Sequence, residues 1–225
     1  MTGRRTALIT GANRGIGRAV GFELYRRGLD IVVTARDGHA AAATAAEIGP
    51  DVRSCALDVT DSDSVRSACT AVGRVDILVC NAGVLLDAGT DPLSVPLDLV
   101  DRTLAVNLLG AWRLAQAFVP DMVRRGWGRV VFVSSGTTAE FGGSLFAGAP
   151  GYSVSKAALN GLMTMTAAQT AGSGVLVNAV NPGRARTRMM PAVTRPPEEA
   201  ARDIADTVTV ADSSPTGRFL SGRSR

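Results

Sequence analysis

The sequence predicts an α/β fold, a single domain over residues 1–225 built as a doubly wound parallel sheet with helices on both faces. Three observations carry that expectation. Short apolar, β-rich runs alternate along the chain with longer amphipathic stretches of helical period. A glycine-rich turn joins the first run to the first helical stretch, as in sheets that bind ligands beyond the carboxyl ends of their strands. No repeat, low-complexity segment or linker divides the 225 residues, a length that can close one core of its own. With 46% hydrophobic and 20% charged residues, the chain is neither disordered nor fibrous.

The elements follow in order. Thr6–Thr10 is expected as a buried strand, and Ile16, Val20 and Leu24 then recur at i, i+4, i+8 as one helix face. Asp30–Ala35 (DIVVTA) is the second strand, Ala40–Ile48 an alanine-rich helix and Val52–Leu57 the third strand. Asp61–Val72 opens with capping residues and is expected as a helix; Val75–Cys80 is apolar nearly throughout and is expected as the fourth strand. A long helical region, about Leu97 to Arg125, leads into the strand Arg129–Ser134, followed by a helix at Tyr152–Ala171 and a strand at Val175–Val180. Beyond Pro182-Gly183 the pattern weakens to a helix near Pro197–Val208 and a short strand near Arg218–Leu220. Alternation of this kind implies a parallel sheet covered on both faces, so the residues that follow each strand carry the chemistry.

Composition excludes several function classes. Of 24 basic residues 23 are arginine; the lone lysine is Lys156 and the lone histidine His39. Histidine-pair catalysis, a Ser/His/Asp triad and a multi-imidazole zinc cage are therefore not expected, and no metal site is assigned. The net charge of +4 is scattered without a basic run, so a nucleic-acid partner is not expected. Cys55, Cys69 and Cys80 form no CxxC pair and give no disulfide framework. Free thiols, a short N-terminal apolar run and no stretch of about 18 apolar residues point to a cytoplasmic protein without a membrane span.

After the first strand comes Thr10-Gly11-Ala12-Asn13-Arg14-Gly15-Ile16-Gly17. Its glycines permit a tight turn and close backbone approach at the start of a helix whose first amides can hold a pyrophosphate. The second strand ends Thr34-Ala35-Arg36-Asp37, with Arg36 19 residues after Gly17. An acidic residue there would bond the ribose hydroxyls of NAD, whereas an arginine pairs with the 2′-phosphate of NADP. Arg36 and Arg14 together favour NADP(H); Asp37, one residue on, leaves NAD(H) as the alternative.

Tyr152 and Lys156 are four apart at the start of a helix and project from one face. A tyrosine of ordinary pKa about 10 is a reluctant acid or base at neutral pH, and a nearby ammonium with an oxidised nicotinamide is expected to lower it. With one lysine and two tyrosines in the chain, such spacing would arise by chance about once in a hundred placements. Arginine serves nearly everywhere else as the cation, but its large fork and very high pKa suit this role poorly.

Several separated motifs in one order give the chain its likeness. It resembles the short-chain dehydrogenase/reductase family through the TGANRGIG loop, Leu57-Asp58-Val59 after the third strand and Asn81-Ala82-Gly83 after the fourth. The likeness continues through Val106-Asn107, Val133-Ser134-Ser135, Tyr152-Ser153-Val154-Ser155-Lys156 and Asn181-Pro182-Gly183 with Thr187. The resemblance implies a Rossmann-type sheet, and a catalytic set of Asn107, Ser135, Tyr152 and Lys156. Asn107 would hold a helix kink and a proton-relay water. Ser135 would orient the substrate carbonyl, Tyr152 would donate the proton and Lys156 would hold the ribose hydroxyls. Gly11, Asn13, Arg14, Gly15, Ile16, Gly17, Arg36, Asp58, Val59, Asn81, Ala82, Gly83, Tyr152, Lys156, Pro182, Gly183 and Thr187 would bind the cofactor. Asp58 would meet adenine and Thr187 the nicotinamide carboxamide. Ser135 is preferred to Ser134 because a one-residue slip at the strand end changes the face. Seventeen positions separate Ser135 from Tyr152, more than is usual in the family, so Gly136–Gly151 is expected as an enlarged active-site loop.

The resemblance implies an NADP-dependent carbonyl reductase or alcohol dehydrogenase acting on a small carbonyl or alcohol substrate, with a segment at about 184–215 covering that substrate. Met189, Met190, Pro191 and Val193 among the arginines of this segment suggest an adaptable apolar pocket with a cationic rim. A catalytically silent NADP(H)-sensing protein of the same fold is the alternative. The resemblance implies a homo-oligomer, dimer or tetramer, through the Leu97–Arg125 and Tyr152 helices. The ending Pro215–Arg225 is similar to that of carbonyl-reductase-like members, some of which are monomers.

Overall fold

The computed structural model describes residues 3–136 and 146–221. Its seven strands are β1 (Thr6–Ile9), β2 (Asp30–Ala35), β3 (Arg53–Ala56), β4 (Ile77–Cys80), β5 (Gly128–Val133), β6 (Val175–Asn181) and β7 (Phe219–Ser221). They form one parallel sheet in the order β3-β2-β1-β4-β5-β6-β7. Strand order reverses between β1 and β4, which opens a crevice beyond their carboxyl ends.

Alternation along each strand sorts the core into two layers. On one face Leu8, Leu78, Val130 and Phe132 pack with α3 (Ser62–Val72), α5 (Ala111–Arg125) and α6 (Pro150–Gln169). On the other, Ile9, Val33, Val79 and Val131 pack with α1 (Gly15–Arg26), α2 (Gly38–Ile48) and α7 (Pro197–Val208). The central strands β1, β4 and β5 are buried on both sides, which accounts for their nearly continuous apolar sequences, whereas the edge strands β3 and β7 are largely exposed.

The long helix expected from Leu97 to Arg125 is continuous but not uniform. α4 (Leu97–Leu104) passes into a π-helical turn, Ala105–Gly110, and then into α5. The widened turn carries Asn107, whose side chain is fixed by groups on two other segments; π turns of this kind concentrate at functional sites. β4 starts at Ile77 rather than Val75 because Asp76 is buried there as a side-chain acceptor, taking the Thr6 N–H at 3.1 Å. α6 starts at Pro150, where a missing N–H costs nothing in the first turn. Most of the expected Gly136–Gly151 loop lies outside the described residues, so its role stays as expected from sequence. Among the described residues no helix is long and apolar enough to cross a membrane, and no cluster of His, Cys, Asp and Glu could hold a metal.

Candidate active site

The C-terminal ends of the strands frame a cleft of two lobes, about 830 Å³ and about 340 Å³, which share Gly11, Arg14 and Gly83. The glycine loop forms the wall between them. Gly11 and Gly15 have positive φ (62° and 54°), so the backbone turns where other residues would be strained. A Cβ on Gly17 would fall 2.6 Å from the Gly11 carbonyl oxygen, so only glycine lets α1 start this close to the turn. Thr10 and Asn81 stitch the ends of β1 and β4 together. The Asn81 amide donates to the Thr10 carbonyl at 2.9 Å, and the Ala82 N–H donates to the Thr10 hydroxyl at 3.0 Å.

The smaller lobe holds Asn13, Arg36, Asp58, Val59 and Ala82. Asp37 lines this lobe as well, and one oxygen of its carboxylate accepts the His39 N–H at 2.9 Å and caps α2. Arg36 and Arg14 carry no side-chain hydrogen bond or ion pair among the described residues. Asp58 accepts from the Thr60 hydroxyl and N–H at 2.7 and 2.9 Å. Those bonds hold its carboxyl below the ordinary range against the opposing effect of burial, with a smaller contribution from the Arg36 charge. His39 is exposed on α2 and takes no part.

The larger lobe holds Ser135, Tyr152 and Lys156. The Ser135 hydroxyl is hydrogen-bonded to the Tyr152 phenol. Ser134, by contrast, donates its N–H to Val180 at 2.8 Å and buries a hydroxyl without a partner among the described residues. Lys156 is 4% exposed, donates from Nζ to the Val133 carbonyl at 2.8 Å and lies with Nζ 5.7 Å from the centre of the Tyr152 ring. Burial lowers its pKa to about 8, while the neighbouring Cys80 thiol is pushed up to about 12 by its own burial.

In the protein alone, burial holds the Tyr152 phenol above its ordinary value, only partly opposed by the Ser135 hydrogen bond; the lowering is expected with an oxidised nicotinamide beside it. The lysine ammonium is spent on a backbone carbonyl rather than on the phenol, so the pair does not produce a tyrosinate by itself.

Of the residues expected from sequence, all but Gly17 and Asn107 line one lobe or the other. Gly17 packs beneath the loop. Asn107 clasps rather than faces the cavity: its amide donates to the Val84 carbonyl at 2.9 Å and to Ser155 Oγ at 3.0 Å, and its carbonyl oxygen accepts the Val84 N–H at 2.8 Å. Ile16, Pro182, Gly183 and Thr187 line the larger lobe. Leu85 and Phe146 line it too, without having been singled out by the sequence, as does Asn181, which the sequence placed in a motif but gave no role. Asp87 is a further omission. Fully buried in the connection after β4, its carboxylate accepts the Gly151 and Tyr152 N–H groups at 2.5 and 3.3 Å, so it caps the helix that carries Tyr152.

Residues 5–198 match the family described as short chain dehydrogenase. Among curated relatives, Oxidoreductase UcpA of Salmonella typhimurium is 35% identical over 209 residues, covering 87% of this chain and 74% of that protein. The 3-oxoacyl-(acyl-carrier-protein) reductase FabG of Aquifex aeolicus is 34% identical over 195 residues, covering 82% of this chain and 75% of that protein. Among solved structures, a metagenomic short-chain oxidoreductase in complex with NADP superimposes with a TM-score of 0.81 at 32% identity, covering 98% of both chains.

Proposed function

The chain belongs to the short-chain dehydrogenase family, and from that premise we propose an NADP(H)-dependent oxidoreductase that interconverts a small carbonyl compound and its alcohol. One arrangement supports this reading above the others. Ser135 bonds the Tyr152 phenol in the same lobe where Lys156, held by the Val133 carbonyl, lies beneath the tyrosine ring.

The residues present fit a dinucleotide. The turn from Gly11 to Gly17 leaves a cradle that a Cβ would fill, and the first amides of α1 face it. Arg14 and Arg36 line the lobe without a side-chain hydrogen bond or ion pair among the described residues and suit a 2′-phosphate, while Asp37, one oxygen of which caps α2, is the residue that would favour NAD. Asp58, Val59 and Asn81 to Gly83 border the adenosine side; Pro182, Gly183 and Thr187 border the nicotinamide side. NADPH, when bound, supplies the hydride.

The chain supplies the rest. A phenol held protonated by burial is an acid ready for the reductive direction: Tyr152 passes its proton to the substrate oxygen, and Ser135 bonds that oxygen and keeps the phenol aimed. Lys156 places a positive charge beneath the tyrosinate that remains. Asn107 and Asp87 keep the connection after β4 and the start of α6 in register, so Tyr152 does not drift. The segment at about 184–215 covers the substrate within one catalytic domain. Exposed Leu109, Trp112, Val154 and Met165 on the long helix and α6 suit a homo-oligomer in the cytoplasm.

The test follows NADPH and NADH absorbance with a panel of ketones and quinones. Turnover preferring NADPH is expected. Binding of NADPH without turnover of any compound would favour the silent sensor instead.

A further inference from the structure

We propose that the larger lobe is specific for carbonyl substrates bearing an anionic head group, carboxylate or phosphate, which is held at its rim by Arg184, Arg186 and Arg188. The proposal rests on the reductase reading of the same lobe and names its substrate class.

The rim is built from the chain just after β6, where Ala185 is buried and Thr187 half-buried while Arg184, Arg186 and Arg188 are exposed. All three line the lobe, together with Arg14 and Lys156, and no aspartate or glutamate among the described residues lines it. Among the described residues, the lining therefore carries positive charge with no carboxylate beside it.

A fourth arginine of the same segment behaves differently. Arg195 pairs with Asp203 at 2.8 Å and Glu199 at 3.1 Å, and also donates to the Pro182 carbonyl. Its own carbonyl accepts the Arg186 N–H at 2.8 Å. Arg195 thus closes the neck of the 186–195 loop, and a turn between Thr187 and Met190 tightens its tip, with the Met190 N–H donating to the Thr187 carbonyl at 3.1 Å. Acidic partners for arginine are present in this part of the chain, yet they go to the residue that fixes the loop. The side chains of the three that line the lobe are left without a hydrogen bond or ion pair among the described residues, on a backbone already held in place. A guanidinium fork on a fixed backbone loses little freedom on meeting a planar anion. Between rim and Tyr152 the walls include Leu85, Phe146, Met189 and Met190, an apolar stretch for the body of the substrate. A head group at the rim, an apolar body and a carbonyl at Tyr152 is the layout the lobe recognises.

The experiment compares 5-oxohexanoate, the corresponding oxo-alkylphosphonate and the neutral methyl ester with NADPH, at low and high salt, in the wild type and in R184Q, R186Q, R188Q and the triple variant. R202Q, an exposed α7 arginine away from the lobe, is the control. The wild type is expected to prefer at least one anion over the ester by tenfold or more in kcat/KM, and the two anionic arms report which head group fits. The preference should shrink with salt and fall to near one in the triple variant, while the dissociation constant for NADPH changes less than twofold and R202Q behaves as wild type. Equal use of anion and ester by the wild type would overturn the proposal while leaving the reductase reading intact. A loss in the triple variant that tracks weaker NADPH binding would also overturn it, by assigning the arginines to the cofactor. If no compound is turned over, the reductase reading fails, and calorimetry on the NADP-loaded protein decides the proposal separately. Tighter binding of anion than ester, abolished in the triple variant, supports it; equal binding overturns it.

Discussion

The two ends of the sheet use the same side chain for opposite purposes. At the N-terminal edge of the strands, arginine is bound to protein. Asp76, buried just before β4, pairs with Arg74 and Arg125 at 2.9 and 2.5 Å and takes the Thr6 N–H. Arg129, almost fully buried in β5, pairs with Asp212, and its guanidinium lies 4.4 Å from the centre of the Trp127 ring, which Arg5 also covers at 3.3 Å. At the C-terminal edge, Arg14, Arg36, Arg184, Arg186 and Arg188 line the cleft, and none forms an ion pair with a carboxylate among the described residues. In a chain where arginine is nearly the only cation, its presence says little and its partner says most. An arginine with an internal acid is part of the fold; a group of them without acids, at the end of a parallel sheet, awaits an anion from outside. Lys156 belongs to neither group. It is the one cation buried among the reacting residues, where a compact ammonium fits and a guanidinium fork does not.

The largest effects should separate the ends cleanly. Tyr152→Phe is expected to lower kcat for carbonyl reduction by about 10³-fold, within the range that general acid catalysis supplies, while NADPH affinity changes only a few-fold and the unfolding midpoint stays put. Asp76→Ala should do the reverse. Burial raises the Asp76 carboxyl, but the bonds from Thr6, Arg74 and Arg125 more than offset this and hold it below the ordinary range. Removing it leaves the buried Thr6 N–H without its acceptor and Arg125 with only Asp121 and the Val75 carbonyl, and costs roughly 3 kcal/mol of stability by denaturant unfolding, with cofactor affinity of the folded fraction unchanged. Because that carboxyl is depressed in the fold, its contribution is complete above the unfolded value of about 4 and is lost as pH falls below it. Equal losses of activity and stability in both variants would mean that the two ends are not independent.

Lys156 gives the intermediate effect. Its folded pKa of about 8 lies below the ordinary 10.5, so between these values the unfolded chain binds more protons and stability rises with pH. The span corresponds to roughly 3 kcal/mol. Lys156→Met should remove that rise, and the reductase rate of the unmodified protein should fall as pH climbs through about 8. A flat pH profile of stability in the unmodified protein would show that the lysine is solvated.

Much of this was legible in the sequence, and the limits have physical reasons. Strand and helix order follows from local periodicity, and the glycine loop and the Tyr152–Lys156 pair are contiguous motifs whose neighbours are set by the helix itself. The π turn at Ala105–Gly110 was not legible, since nothing in its six residues breaks a helix; its width goes with the clasp of Asn107 on Val84 and Ser155. Asp87 was invisible for a similar reason. It reaches Gly151 across 64 positions, and a lone acid in an apolar connection gives no sign of which helix it caps. The burial of the Tyr152 phenol was not legible either, because spacing reveals a nearby charge but not how deeply a side chain is packed.

The smallest effect tests the comparison most finely, because it sets one exposed arginine at each end against the other. Arg36→Gln removes a guanidinium that lines the smaller lobe and forms no ion pair among the described residues, acting on Asp58 only through its charge. If it pairs with the 2′-phosphate, one charge-assisted contact at an exposed site is lost, and the kcat/KM ratio of NADPH over NADH should fall about tenfold. Arg74→Gln removes a guanidinium that is 66% exposed yet paired with Asp76. Arg125 and the Thr6 N–H still satisfy that carboxylate, so stability should drop by less than about 1 kcal/mol and the cofactor ratio should not move. The cofactor ratio is the deciding measurement. If Arg36→Gln leaves it unchanged, an unpaired arginine in the cleft is no more than a solvated one, and the distinction between the two ends loses its functional half.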